Sequence, residues 1–170
     1  MKIKHKLITQ LAGISSLVII IAAIVTSCGR DSGGSFGTAA SMPVAKSLVM
    51  PVTASLNGGQ EVPPVATAGT GSAILSVNFI TGAISGAVSF TGLSSVAVSA
   101  HIHEGAAGVN GLIIVPLAGG IGLTSGTWIV PAGSVLTAAQ LNALQAGGLY
   151  VQIHTQLFPA GEIRGRLASL

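Results

Sequence analysis

The amino-acid sequence predicts an all-β domain, an antiparallel immunoglobulin-like sandwich or Greek-key barrel with one short helix. Short segments of apolar and small polar residues, rich in β-branched side chains, recur along the chain and predict strands. Glycine-rich turns separate these segments, and 24 of the 170 residues are glycine. One segment has helical spacing instead. Many short strands joined by glycine turns favour a sandwich or a barrel.

The strands are assigned from these segments in chain order. A strand is predicted at residues 48–56, and a hairpin at 71–91, where a turn at 80–83 reverses the chain. Further strands are predicted at 96–103, 112–117, 127–130, 149–155 and 162–167. The last two should form a hairpin, which would bring His154 near Glu162. Because aromatic residues are scarce, the core should consist of Val, Ile, Leu and Ala.

The helix is predicted at about residues 137–146. Thr137 and Gln140 have the spacing of a capping box, in which each side chain bonds the backbone N–H of the other residue. Leu141 and Leu144 follow at helical spacing and should pack on the sheet. A pair of glycines then ends the segment, as is common after a helix.

The first 28 residues predict a lipoprotein signal peptide. Basic residues precede an apolar run at residues 11–25, which at about 15 residues is short for a membrane span. The run ends at a sequence that resembles a bacterial lipobox, in which Cys28 becomes the lipidated first residue of the mature chain. Cys28 is the only cysteine, so no disulfide can form within the chain. By analogy with bacterial lipoproteins, Gly29 favours the outer membrane if the host has one.

Removing the signal peptide leaves a flexible tether at residues 29–47 and one domain at 48–170. The tether is rich in Gly, Ser and Ala. Three of the seven basic residues leave with the signal, so four basic residues face four acidic ones in the mature chain. This balance provides no basic patch, and we therefore expect no nucleic-acid partner. The lipid on Cys28 would make the membrane the first partner of the protein.

Every histidine of the mature chain lies in a predicted strand. His101 and His103 are two residues apart and share a strand face, and His154 lies on a later strand. Three imidazoles that converge can bind copper or zinc through three nitrogen atoms. The alternative is a buried polar network that fixes the register of the strands. The spacing favours a site but leaves both interpretations open.

The remaining ionisable residues are candidates for supporting these histidines. We expect Glu104 or Glu162 to orient an imidazole by accepting its second N–H. Arg164 lies on the same predicted strand face as Glu162 and is therefore a further candidate for supporting the histidines. The alternative role for the two carboxylates is ion pairing with Arg164 and Arg166. Glu61 lies in a proline-rich turn, where a solvated carboxylate is expected.

Five segments, in this order along the chain, resemble the CHRD (chordin-type) domain: Asn57–Pro64, Ala68–Gly71, Ala100–His103, Tyr150–Thr155 and Pro159–Gly165. The resemblance runs through the whole domain and implies an immunoglobulin-like or barrel-like β fold. The family is abundant in bacterial secreted proteins and carries no established enzymatic activity. It therefore implies that the chain is not an enzyme.

A weaker resemblance is to copper/zinc superoxide dismutase, through the order of the segments Gly92–Ser95, His101–Glu104, Ile153–His154 and Gly165–Leu167. This similarity implies that the three histidines correspond to copper ligands. No histidine or aspartate lies between His103 and His154, so the bridging ligand and the zinc ligands are missing. The chain also cannot form the disulfide of that family. A complete dismutase is therefore not supported.

Two functions remain open from the sequence. The first is a non-enzymatic, lipid-anchored binding module of the cell envelope, which would contact an envelope protein or polymer through the loops beside the histidine strands. The second is a copper- or zinc-binding protein, with minor redox activity of the superoxide dismutase type. The two are compatible, since a binding module can hold a metal.

Overall fold

The computed structural model describes residues 49–169. The expected signal peptide, Cys28 and the tether lie outside these residues, as do Leu48 and Leu170. The described part is an antiparallel sheet of ten strands with one α-helix, which confirms the predicted all-β class.

The strands follow the predicted segments to within a residue or two. They are β1 Val49–Asn57, β2 Thr70–Asn78, β3 Ile84–Thr91, β4 Ala97–Glu104, β5 Leu112–Pro116, β6 Ala118–Gly119, β7 Gly126–Ile129, β8 Leu149–Thr155, β9 Ile163–Arg166 and β10 Ala168–Ser169. The helix α1, Ala138–Gln145, lies between β7 and β8, and a short 3-10 turn follows β1 at Gly58–Gln60. Two of the strands, β6 and β10, are only two residues long and have no pattern that predicts them.

The sheet is nearly closed into a barrel. Its strand order is β5-β4-β8-β9-β1-β2-β3-β7-β6, and β10 pairs with β1 beside this path. The two edge strands, β5 and β6, are separated in the chain only by Leu117, whose N–H donates to the carbonyl of Ala100 on β4 at 2.9 Å. The chain thus passes directly from one edge of the sheet to the other. This crossing favours the barrel over the open sandwich.

Aliphatic side chains fill the interior, as the composition predicts. The largest fully buried side chains include Leu56, Leu75, Ile102, Leu149, Ile153, Ile163 and Leu167. Two aromatic residues join them, Phe90 on β3 and Trp128 on β7. Burying each large aliphatic side chain stabilises the fold by roughly 1.5–3 kcal/mol.

The helix has the capping box that its sequence predicts. The N–H of Gln140 donates to Thr137 Oγ1 at 3.2 Å, and the N–H of Thr137 donates to Gln140 Oε1 at 2.8 Å. Leu141 and Leu144 are buried against the sheet, and Gly147 follows the helix with a positive φ of 70°. Within residues 49–169, no helix is both long enough and apolar enough to span a membrane.

Replacing the cap should weaken the domain measurably. We expect Thr137→Ala to lower the free energy of unfolding by about 1 kcal/mol, because the N–H of Gln140 loses its acceptor. Thr137→Ser retains a hydroxyl oxygen at this position and should stay close to wild type. Urea unfolding followed by circular dichroism measures both variants. Equal losses for Ala and Ser would show that the methyl group of Thr137, and not its oxygen, is what matters.

Candidate metal centre

The structure brings the three predicted histidines together. In the antiparallel pairing of β4 with β8, Ser99 lies opposite His154 and His101 lies opposite Gln152, so His101 and His154 are diagonal neighbours. The ring centroids of His101 and His154 are 5.1 Å apart, and His103 lies 5.6 Å from His101 and 6.0 Å from His154. We call these three residues the histidine cluster.

Strand alternation separates the cluster from the hydrophobic core. On β4 the side chains of Ala100 and Ile102 belong to the core, whereas His101 and His103 point to the opposite, outer face. On β8 the core residues are Leu149, Val151 and Ile153. The side chains that share the outer face of these two strands are those of His101, His103, Tyr150, Gln152 and His154.

Backbone carbonyls fix the orientation of two of the rings. His103 Nδ1 lies 3.1 Å from the carbonyl oxygen of Gly111, and His154 Nδ1 lies 3.1 Å from that of Pro159. A carbonyl oxygen only accepts, so Nδ1 carries the proton in both rings and Nε2 keeps its lone pair. The expectation that Glu104 or Glu162 would orient an imidazole is therefore wrong for these two nitrogens. Loops at 105–111 and 157–161 provide the acceptors instead.

One nitrogen of each ring is buried and has no hydrogen-bond partner within residues 49–169. These atoms are His101 Nδ1, His103 Nε2 and His154 Nε2. Buried polar atoms without partners are rare, because each forgoes the bonds that it would make in water. A network that served only to fix strand register would pair these atoms. Three unpaired nitrogens in one cluster therefore favour a bound ligand over the polar-network interpretation.

Burial also keeps the cluster neutral. It lowers the pKa of His101 and His103 below the usual value, and it lowers the pKa of His154 to about 4. Removal from water disfavours the charged imidazolium, and the rings also repel one another when protonated. At neutral pH all three rings are therefore neutral imidazoles, each with one ring nitrogen whose lone pair is free to bind a metal ion.

The dimensions of the cluster fit a metal ion after a small adjustment. One nitrogen from each histidine can be chosen so that all three lie within 4.8 Å of one another. Nitrogen ligands about 2.0–2.1 Å from one metal lie about 3.4 Å apart. The rings would have to move closer to reach this spacing, and His101, whose Nδ1 makes no hydrogen bond within residues 49–169, is the least constrained of the three. The other two rings are already held by their carbonyls.

Behind His103 lies a stack of Tyr150, which the sequence did not identify as functional, and Arg164, which it did. The Tyr150 ring is stacked on the His103 ring at 4.9 Å with an interplanar angle of 10°. The guanidinium carbon of Arg164 lies 3.4 Å from the centroid of the same Tyr150 ring. Tyr150 thus separates a cation from a candidate ligand. The signal in the sequence was the spacing of Tyr150, Gln152 and His154, which puts Tyr150 on the same face of β8 as His154.

Arg164 also holds the loop that orients His103. It donates to Asn110 Oδ1 at 3.1 Å and to the carbonyl of Val109 at 2.9 Å. The N–H of Gly111 donates to the Tyr150 hydroxyl at 2.8 Å. The hydrogen bonds of Arg164 therefore go to neutral acceptors. They replace the ion pairs that were expected with Glu104 or Glu162.

Glu162 is fully buried but belongs to a separate hydrogen-bond network. Its carboxylate accepts from Thr67 Oγ1 at 2.6 Å, from the N–H of Ser94 at 2.7 Å and from Thr155 Oγ1 at 2.8 Å. Burial acts to raise the pKa of Glu162, but these hydrogen bonds to the charged form outweigh it and hold the pKa below its usual value. The predicted hairpin does place Glu162 next to β8, where it joins Thr155.

Glu104 and Arg166 lie at a different place on the surface. Both line an open groove beside α1 and the end of β5. Arg166 donates to the carbonyls of Gly105 and Gly147, so it too bonds to backbone oxygens. The groove therefore accounts for Glu104, which the sequence predicted beside the histidines, and for Arg166, its expected ion-pair partner.

Glu61 is buried, which contradicts the expectation of a solvated turn residue. Only 4% of its surface is exposed. Gln152 Nε2 donates to Glu61 Oε2 at 2.5 Å, while Glu61 Oε1 is buried without a partner. Burial raises the pKa of Glu61 to about 7, although the Gln152 hydrogen bond and the Arg164 charge oppose the shift. A turn that folds back over the outer face of β8 explains this position.

Fold and cluster together define the chain as a nearly closed antiparallel β-barrel domain with three convergent histidines on its outer face. The family model of the CHRD domain matches residues 52–167, so the chain belongs to the CHRD domain family, as the sequence resemblance indicated. The match includes the whole histidine cluster and its supporting loops. Comparisons with curated proteins and with solved structures gave no match.

The buried carboxyl of Glu61 should make stability depend on pH. Its folded pKa is raised, so its favourable contribution is present below about pH 4.5 and is lost as the pH rises through about 7. Relative to Glu61→Gln, the metal-free wild type should lose about 2–3 kcal/mol of unfolding free energy between about pH 5 and pH 8.5.

Urea unfolding of both proteins with a chelator present, at several pH values, measures this difference. The histidines titrate in both proteins, so their contribution cancels in the comparison. A difference that stays constant across the pH range would show that Glu61 is ionised in the folded state throughout.

Proposed function

We propose that this protein is a lipid-anchored cell-envelope protein whose CHRD domain binds a copper ion through His101, His103 and His154. One observation carries the proposal: one nitrogen from each of the three imidazoles lies within 4.8 Å of the others, and each ring has a buried nitrogen without a hydrogen-bond partner among the described residues. The membership in the CHRD family supports a binding module, and the cluster supports a metal ion as the ligand of that module.

The donor set favours copper among the common metals. Neutral imidazoles suit copper and zinc, and the order of affinities for divalent ions places copper(II) above zinc. The carbonyls of Gly111 and Pro159 accept the Nδ1 protons of two rings, as second hydrogen-bond partners of metal-bound histidines do. Three protein ligands leave one coordination position open to water or an external ligand.

Copper titration tests the proposal directly. In a Cys28→Ala background, which removes the only thiol of the chain, the detergent-solubilised full chain should bind one equivalent of copper. His103→Ala should weaken this binding by roughly a hundredfold or more, because a ligand is lost. His101→Gln should do the same with less effect on folding, since His101 Nδ1 makes no hydrogen bond.

Glu104→Gln is the matched control, because Glu104 lines the groove beside α1 and does not orient the rings. It should bind copper as wild type does, and circular dichroism should show all variants folded. Binding that is equal in wild type and in both histidine variants would refute the copper centre, and so would the absence of binding in wild type.

The lipid anchor is a separate part of the proposal, supported by the apolar run and the lipobox-like sequence that ends at Cys28. We expect metabolic labelling with palmitate to mark the wild-type protein and not Cys28→Ala. The variant should also be released from the membrane fraction. Equal labelling of the two proteins would contradict the anchor and leave the metal centre unaffected.

A further inference from the structure

We infer that the histidine cluster stabilises copper(I) relative to copper(II), and that Arg164 is the specificity-determining residue for this preference. The inference rests on the proposed copper site. It concerns the oxidation state of the metal, and it follows from the charges and donors that the structure places around the cluster.

The first argument is that, within residues 49–169, the three imidazole donors and the groups bonded to their Nδ1 atoms are all neutral. The three donors are neutral imidazoles, and the groups that accept their Nδ1 protons are the neutral carbonyls of Gly111 and Pro159. The buried carboxylate of Glu162 does not orient a ligand, because it accepts its hydrogen bonds from Thr67, Ser94 and Thr155 in a separate network. The cost of moving an ion out of water rises steeply with its charge, so such a site disfavours the dication more than the monocation.

The second argument is the cation behind His103. The Arg164 guanidinium lies 3.4 Å from the Tyr150 ring, which stacks on His103 at 4.9 Å. A positive charge at this distance raises the energy of copper(II) more than that of copper(I), because the repulsion is proportional to the metal charge. The hydrogen-bond acceptors of Arg164 are neutral, so its charge is not cancelled at the guanidinium.

Glu61 is the carboxyl that interacts with Arg164, and it could offset this charge. Its burial raises its pKa to about 7, so the group is largely protonated in slightly acid solution. At about pH 6 the Arg164 charge therefore acts on the cluster with little opposition.

The third argument is the number of donors. Copper(II) prefers a tetragonal arrangement of nitrogen and oxygen ligands, which requires at least four. Within residues 49–169, the group of His, Cys, Asp and Glu side chains close enough to share a metal ion has three members, all of them histidines. A three-nitrogen set is sufficient for copper(I), and copper(II) would have to take its further ligands from solvent.

The test compares the dissociation constants of copper(I) and copper(II) for the full chain in the Cys28→Ala background at about pH 6, with competing chelators specific to each oxidation state. Arg164→Gln should shift the ratio of the two constants toward copper(II) by about tenfold, equivalent to a reduction potential lower by about 59 mV. Arg164→Lys keeps the charge and should retain most of the copper(I) preference.

A second variant tests the charge without removing the arginine. Arg164 lies 3.1 Å from Asn110 Oδ1, and Asn110 is exposed, so Asn110→Asp places a carboxylate on the guanidinium with little risk to the fold. It should shift the ratio in the same direction as Arg164→Gln. Asn110→Ala, which removes both side-chain hydrogen bonds of Asn110 without adding charge, is its matched control and should leave the ratio close to wild type.

The outcomes separate the two proposals. A wild-type chain that binds neither oxidation state refutes the copper site itself. A chain that binds copper but whose ratio is unchanged by both Arg164→Gln and Asn110→Asp overturns the role of Arg164. Equal shifts in Asn110→Asp and Asn110→Ala, or in Arg164→Gln and Arg164→Lys, would also overturn it, because loop position and not charge would then set the ratio.

Discussion

The pairing of β4 with β8 is the constraint on which the rest of the structure depends, because both faces of this pair are covered. Ile102 and Ile153 lie in the barrel interior, and on the outer face Tyr150, Gln152 and His103 are also buried. A polar atom on such a face has no water to bond with, so it needs a partner within the protein. The three loops at 58–67, 105–111 and 157–161 therefore have to present donors and acceptors to this face at defined positions.

Gly161 shows how closely these loops approach the strands. Its φ is 129°, and a Cβ atom at this position would lie 2.0 Å from Gln152 Nε2 and 2.8 Å from Glu61 Oε1. Only glycine allows the chain to lie directly on the pair of Gln152 and Glu61. The same loop carries Pro159, whose carbonyl holds His154, so the close approach at Gly161 also sets the orientation of a candidate ligand.

Local periodicity explains what the sequence could predict. Strand alternation placed His101 and His103 on one face, the capping pair of Thr137 and Gln140 located α1, and turn residues located the strand ends. The position of His154 beside them depends on the register of β4 with β8. The burial of Glu61 and the carbonyl bonds to His103 and His154 depend on the paths of irregular loops, which have no period in the sequence. The position of Arg164 over Tyr150 depends on the pairing of β8 with β9. Its contact with the loop at 105–111, which orients His103, depends on the path of that loop and has no signal in the sequence.

The scarcity of charge in the domain connects these features. In a chain with so few ionisable groups, each buried one acts on its neighbours with little screening from other charges. Glu162 is held ionised by three hydrogen bonds, whereas Glu61 has one bonded oxygen and one unpaired oxygen, and its pKa moves in the opposite direction. Glu61 and Arg164 interact with each other, and Arg164 also lies over Tyr150, which stacks on His103 of the cluster. The neutrality of the cluster is therefore a property of the surrounding fold, and a metal bound there would experience the net positive field that this arrangement leaves.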